Sequence, residues 1–171
     1  MAGHGGSGKS TLARHIADRI GAVVIDLDTI KSALLESGAS WDDASRWSYA
    51  IIYGLVDDVL ATAGAKVIVD TPSYWSEIHE RLTSAAAKHD AEYVFIECEA
   101  DESIRSRRLE QRAGQRSQIR GLAVNPLDAP AELDTVHLRP IRRPANWQCL
   151  LVPTDKPVEV DDVIDQFASR R

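Results

Sequence analysis

The sequence predicts an α/β protein of three layers, with helices on both faces of a parallel sheet, and three observations carry that prediction. Apolar β-branched runs ("AVVID" at 22–26, "KVIVD" at 66–70, "EYVFIE" at 92–97 and "CLLV" at 149–152) are separated by segments of helical length. Such alternation marks βαβ units, whose strands are buried on both faces. A glycine-rich turn, "GHGGSGKST", stands directly before the first helical stretch, and two of the runs end on aspartate. With 171 residues, 44% hydrophobic and 27% charged, residues 1–171 are expected to form one domain with its own core.

In chain order, "TLARHIADRI" reads as a helix after the glycine turn, and "IKSALLE" as a second that Asp28 or Thr29 can cap. Trp47, Ile51, Leu55 and Val59 recur at helical spacing until Gly64 closes a long third helix. Trp41 and Trp47 read first as packing beneath that helix, with stacking on a ligand ring as the alternative. "SEIHERLTSAAAKH" and "VEVDDVIDQFASR" supply two more helices. Arg105, Arg108, Arg112 and Arg116 are spaced by three, four and four, which is one face if their helix persists. A row of like charges calls for a polyanion opposite it, unless Glu99, Asp101, Glu102 and Glu110 balance it as a solvated face. Residues 113–146 hold four of the seven prolines and no sustained period, so they read as a long excursion from the sheet.

Composition excludes several classes. No stretch approaches the roughly 20 apolar residues of a membrane span, and no apolar signal region opens the chain, so a cytoplasmic location is expected. The net charge of −6 argues against a nonspecific nucleic-acid coat. Cys98 and Cys149 stand in apolar surroundings and form neither a disulfide framework nor a CxxC site, so buried thiols are expected. Nothing in the sequence sets an oligomeric state.

The glycine turn is the most specific signal. Gly3, Gly8, Lys9 and Ser10 fill the pattern G-x-x-x-x-G-K-[ST], and Gly5, Gly6, Ser7 and Thr11 complete the segment. Glycines let successive backbone N–H groups turn inward around a phosphate, and the helix that follows points its positive end at the same anion. Lys9 is placed to reach the β- and γ-phosphates and the Ser10 hydroxyl to ligate Mg²⁺. His4 reads as filler.

Around this motif the chain resembles the P-loop small-molecule kinases: chloramphenicol phosphotransferase-like, gluconate- and shikimate-kinase-like and polynucleotide-kinase-like AAA-type ATP-binding proteins. The resemblance implies a P-loop NTPase fold of strand order 2-3-1-4-5, ATP and Mg²⁺ as cofactors, and a lid or insert at about residues 102–146. Asp26-Leu27-Asp28 is similar to the DxD of the sugar and shikimate kinases, which implies Asp28 as base and Asp26 as an indirect Mg²⁺ partner. Asp28-Thr29-Ile30-Lys31 is similar to the D-x-x-R of polynucleotide kinases, with Lys31 for the arginine. Asp70-Thr71 falls where these families serve the metal or grip the acceptor. Arg108 and Arg112 are similar to the R-x-x-x-R pair of their lid, which stabilises charge on the transferring phosphoryl group. Tyr74 and Trp75 line the acceptor pocket or simply pack, Arg139, Arg142 and Arg143 are candidates to flank adenine or acceptor, and Thr154 and Asp155 fall near the base.

P-loop folds run an apolar central strand into the cradle, yet only Met1 and Ala2 precede Gly3. The first strand is therefore expected to be missing or truncated, with the natural chain starting earlier. A genuine start with a degraded cradle is the alternative. The function expected is an ATP-dependent phosphotransferase acting on a hydroxyl of a small molecule, whether metabolite, sugar or antibiotic. One alternative is a 5′-hydroxyl polynucleotide kinase, with nucleic acid bound only at a short 5′ end. The other is a non-kinase ATP-binding or NTPase partner protein that uses residues 113–146 to contact a protein.

Overall fold

The computed structural model describes residues 1–112, 117–118, 129, 140–144 and 149–168. Along the chain run α1 (Lys9–Ile20), β1 (Val23–Asp26), α2 (Leu27–Glu36), α3 (Trp41–Leu60), β2 (Val67–Asp70), α4 (Ser76–Lys88), β3 (Phe95–Glu99), α5 (Glu102–Gln111), β4 (Cys149–Pro153) and α6 (Val160–Ala168). β1 pairs parallel with β2 and β3 parallel with β4. Residues 1–2 join the two pairs. The Met1 amine donates to Val69 O at 2.8 Å, Thr71 N–H to Met1 O at 3.3 Å, Ala2 N–H to Ile96 O at 2.7 Å and Cys98 N–H to Ala2 O at 2.9 Å. Met1 and Ala2 thus stand as a stub of strand between β2 and β3. Counting the stub as strand one gives the expected order 2-3-1-4-5.

Alternation along the strands sorts side chains to two faces. Ile96, Cys98, Leu150 and Val152 pack with Leu12 and Ile16 of α1 and Val163 of α6. Ile25, Val69, Leu27, Ile52 and Val56 form the opposite core under α3. Cys98 is buried, which pushes its thiol up to about 11, and Cys149 is half-buried; both are free. Beyond Met1 the space between β2 and β3 opens into a cleft of about 550 Å³, lined by Met1, Ile68, Val69, Ile96, Ile164 and Phe167 among others.

Three expectations are corrected. The cap of α2 is Asp26, neither Asp28 nor Thr29: it is extended, and its Oδ1 accepts from Asp28 N–H at 2.8 Å and Thr29 N–H at 3.4 Å. α3 buries Ala44, Ser48, Ile52 and Val56, whereas Trp47, Ile51 and Leu55 face outward at 44%, 39% and 41% exposure. Small residues let α3 lie close to its neighbours, and the bulkier stripe one residue earlier is turned away. α5 stops at Gln111, and Arg112 is extended, so the arginine row is not one continuous helical face. Arg116 lies outside the described residues, as do Arg139 and most of 113–146.

Candidate active site

The cradle is built from backbone. Gly6 and Gly8 hold φ of 79° and 81°, a region that favours glycine. A Cβ on Gly3 would meet Ser7 Oγ at 2.4 Å and Cys98 O at 2.6 Å, and one on Gly6 would meet Arg105 O at 2.7 Å. Gly8 caps α1 in the left-handed conformation and no side chain closes the helix end. The first N–H groups of α1 are therefore left for an anion. Lys9 is buried at that end, Ser10 is half-buried beside it and Thr11 is exposed. Ser7 Oγ is buried with no hydrogen-bond partner among the described residues.

β4 and α5 brace the cradle from outside. Thr154 Oγ1 lies 2.6 Å from Ser7 O and 2.9 Å from Glu99 O, to which it can donate. Arg108 donates through Nη2 to Thr154 O at 2.6 Å and through Nη1 to Gly6 O at 3.3 Å, and Arg105 Nε donates to Gly5 O at 3.1 Å. Asp155 Oδ1 accepts from Asp101 N–H at 2.8 Å. Arg108 here grips the loop carbonyls. Arg112, at the end of α5, is the arginine whose charge meets Asp28 and Asp26; burial lowers its pKa and those carboxylates oppose the shift.

Asp26 and Asp70 are register partners at the carboxyl ends of β1 and β2, the edge where open α/β sheets bind ligands. Burial raises the Asp26 pKa, and the carboxylates of Asp70 and Asp28 push it further the same way. Its Oδ2 lies 3.5 Å from Arg14 Nη2. Asp70 is 2% exposed, and both its oxygens are buried without a partner among the described residues. A buried carboxylate left so is costly, and a cation removes the cost. Ser10, Asp26 and Asp70 fit Mg²⁺ in this sense. No group of three or more His, Cys, Asp or Glu that could hold a metal ion occurs among the described residues.

Asp28 sits in the first turn of α2 and is met by residues far along the chain. Ser117 Oγ donates to its Oδ1 at 2.9 Å and Gln118 Nε2 to its Oδ2 at 3.0 Å. Lys31 lies with Nζ 3.3 Å from the centre of the Trp41 ring, so Trp41 holds a cation. Burial lowers the Lys31 pKa to about 8, against the pull of Asp28 and Asp42. Thr71 is buried, and its Oγ1 accepts from Ser73 N–H at 3.0 Å.

Rings gather on the same side. His4, Tyr74, Trp75, Tyr49 and Tyr53 follow one another at centroid separations of 6.0, 5.9, 6.4 and 6.3 Å. Tyr74 is buried and its hydroxyl is pushed up to about 12, while Trp75 is 44% exposed. His4 is therefore part of a packed aromatic run. Arg142 and Arg143 are directed elsewhere: Arg142 joins Ser73 O and His79 through its backbone, and Arg143 Nε pairs with Glu97 at 2.6 Å. Sequence reasoning placed Ser7 in the cradle segment but did not find Ser117 or Gln118, which nothing local marks.

A family model described as an AAA domain matches residues 1–129. The uncharacterised Mycobacterium tuberculosis protein Rv2004c is 28% identical over 151 residues, covering 80% of this chain and 30% of that one. The chain thus spans under a third of that curated relative's length. Among solved structures, M. tuberculosis APS kinase CysC with AMPPNP and APS superposes with a TM-score of 0.63 at 19% identity, over 98% of this chain and 94% of that one. Chaetomium thermophilum Kti12 with ADP-AlF₃ gives 0.68 at 18% identity, over 98% and 95%. At such identities the likeness is one of fold, the α/β fold of P-loop NTPases. No helix among the described residues is long and apolar enough to cross a membrane.

Proposed function

This chain belongs to the AAA domain family, and on that premise we propose that it is an ATP-dependent phosphotransferase, moving the γ-phosphoryl group of Mg²⁺-ATP to a hydroxyl of a small molecule. One observation carries the proposal: Asp28 follows the carboxyl ends of β1 and β2, where Asp26 is in register with Asp70, whose oxygens have no hydrogen-bond partner among the described residues, and the Asp28 charge meets Arg112 at the end of α5, the helix that braces the cradle. The cradle N–H groups and Lys9 bind the phosphates, and Ser10, Asp26 and Asp70 hold Mg²⁺, which neutralises phosphate charge when bound. Asp28 orients the acceptor hydroxyl and takes its proton. The acceptor oxygen bonds to the γ-phosphorus, the bond to the β–γ bridging oxygen breaks, and ADP leaves. Arg112, near Asp28 and Asp26, supplies positive charge where negative charge accumulates. Tyr74 and the half-exposed Trp75 offer the acceptor an apolar wall. Lys31, the cation that a 5′-hydroxyl polynucleotide kinase would direct at a phosphate, lies over Trp41, which favours a small acceptor.

The test is ADP release with Mg²⁺-ATP across hydroxylated antibiotics, sugars, nucleosides and 5′-hydroxyl oligonucleotides. One class should stimulate release, and Asp28→Asn should lower that transfer by about 10²- to 10⁴-fold with ATP binding intact. ATP binding with no stimulation by any class favours a nucleotide-binding partner protein instead.

A further inference from the structure

The hydrogen bonds on Asp28 lead beyond the reaction class. Ser117 is 8% exposed, and its N–H and hydroxyl are engaged within the protein, the hydroxyl also lying 3.1 Å from Asp28 O. Its N–H donates to Ser32 Oγ at 3.1 Å, Ser32 Oγ donates to Ser117 Oγ at 3.1 Å, and Ser117 Oγ donates to Asp28 Oδ1. Ser32 is itself buried, so Oδ1 is fixed from the protein side. The oxygen left to face a reacting hydroxyl is Oδ2, and there Gln118 places its amide N–H at 3.0 Å. Gln118 is half-buried, and three rotatable bonds separate its amide from the backbone, so the amide has other rotamers while Ser117 stays in place.

We infer that Gln118 is a specificity residue that holds the acceptor's place on the base, denying Asp28 Oδ2 to water until an acceptor hydroxyl displaces the amide. The inference rests on Asp28 being the base proposed above. An acceptor O–H and the Gln118 N–H are both donors, so the exchange leaves the carboxylate satisfied; water donates equally, but only an acceptor held by further contacts of its own offsets the cost of turning the amide aside. The reaction held in check is hydrolysis. Water oxygen bonds to the γ-phosphorus, the bond to the bridging oxygen breaks, ADP leaves, inorganic phosphate is released and the proton passes to Asp28.

Water is therefore the probe: ADP release from Mg²⁺-ATP with no acceptor added, in the wild type, Gln118→Ala, Gln118→Glu and the double variant Gln118→Ala/Asp28→Asn. Binding of a fluorescent ATP analogue and thermal melts confirm the fold of each. Removing one hydrogen bond from the resting carboxylate should raise hydrolysis by about tenfold in both single variants, and the double variant should lose the gain. The similarly sized Gln118→Glu, which sets like charges together, keeps the test readable should the alanine variant fail to fold. Unchanged hydrolysis in both single variants with nucleotide binding intact overturns the place-holder while leaving the base assignment standing. A rise that persists without Asp28 overturns the base assignment, and the inference falls with it.

Discussion

Lys9 concentrates the cost of the site in one side chain. It is buried, and among the described residues no carboxylate pairs with its ammonium. Its ammonium also disfavours the charge of the buried Met1 amine, where burial is the larger cause. A bound phosphate would supply a partner there. Lys9→Ala should therefore lower turnover by about 10²- to 10³-fold, the loss typical of one preorganised charge. The nucleotide-free variant should melt no lower than the wild type, because a buried unpaired charge destabilises the resting fold. Turnover and melting temperature measured on the same preparation check both halves. A variant that melts well below the wild type would mean that Lys9 serves the fold first.

At the scale of elements, α4 is anchored by one neutral imidazole. His79 Nε2 donates to Arg142 O at 2.6 Å, its Nδ1 lies 2.9 Å from the Tyr93 hydroxyl, and the Phe95 ring stands edge-on at 5.0 Å. Burial lowers the His79 pKa below its ordinary 6.5, although the Arg142 carbonyl pulls the other way. The unfolded chain thus takes a proton before the folded one does. Stability from this group is complete above pH 6.5 and declines as pH falls below it. The wild type should lose more melting temperature between pH 7.5 and 5.5 than His79→Gln, which keeps a donor and an acceptor without titrating. The difference expected is a few degrees, and equal losses would remove His79 from the acid response.

The same scale shows what the sequence could and could not reveal. Strands and helices were legible because their apolar runs and periods are local, and the cradle because its glycines are required by backbone geometry that no other residue meets. The phase of α3 was hidden because Ala44 and Ser48 add little to an apolar count although they let the helix approach its neighbours. The cap of α2 was missed by two residues. Asp26 and Asp28 have the same chemistry, and only the extended backbone at Asp26 decides between them. Ser117 and Gln118 reach Asp28 across about ninety residues, and no window of sequence records such a contact.

At the scale of the whole molecule, the two halves of the sheet are joined at its centre by two residues. Met1 and Ala2 make strand-like hydrogen bonds to β2 on one side and β3 on the other. The cleft continues their line between Ile68 and Val69 on one wall and Ile96 on the other. Apolar side chains of both strands line it, and burial lowers the pKa of the Met1 amine beside it. A segment of about five β-branched residues fused before Met1 should run into the cleft in parallel with both neighbours, at ~3.3 Å per residue. Each apolar side chain buried there contributes about 1.5 to 3 kcal/mol before the cost of ordering the segment. A net gain of about 3 kcal/mol corresponds to a rise of about 10 °C in melting temperature for a chain of this size. A glycine- and serine-rich segment of equal length is the control, since it moves the amine without filling the cleft. If both segments shift the melt equally, the effect belongs to the displaced charge. A rise confined to the apolar segment makes the cleft a strand position, and tighter ATP binding alongside it would tie the rigidity of the sheet centre to the cradle, which begins one residue after Ala2.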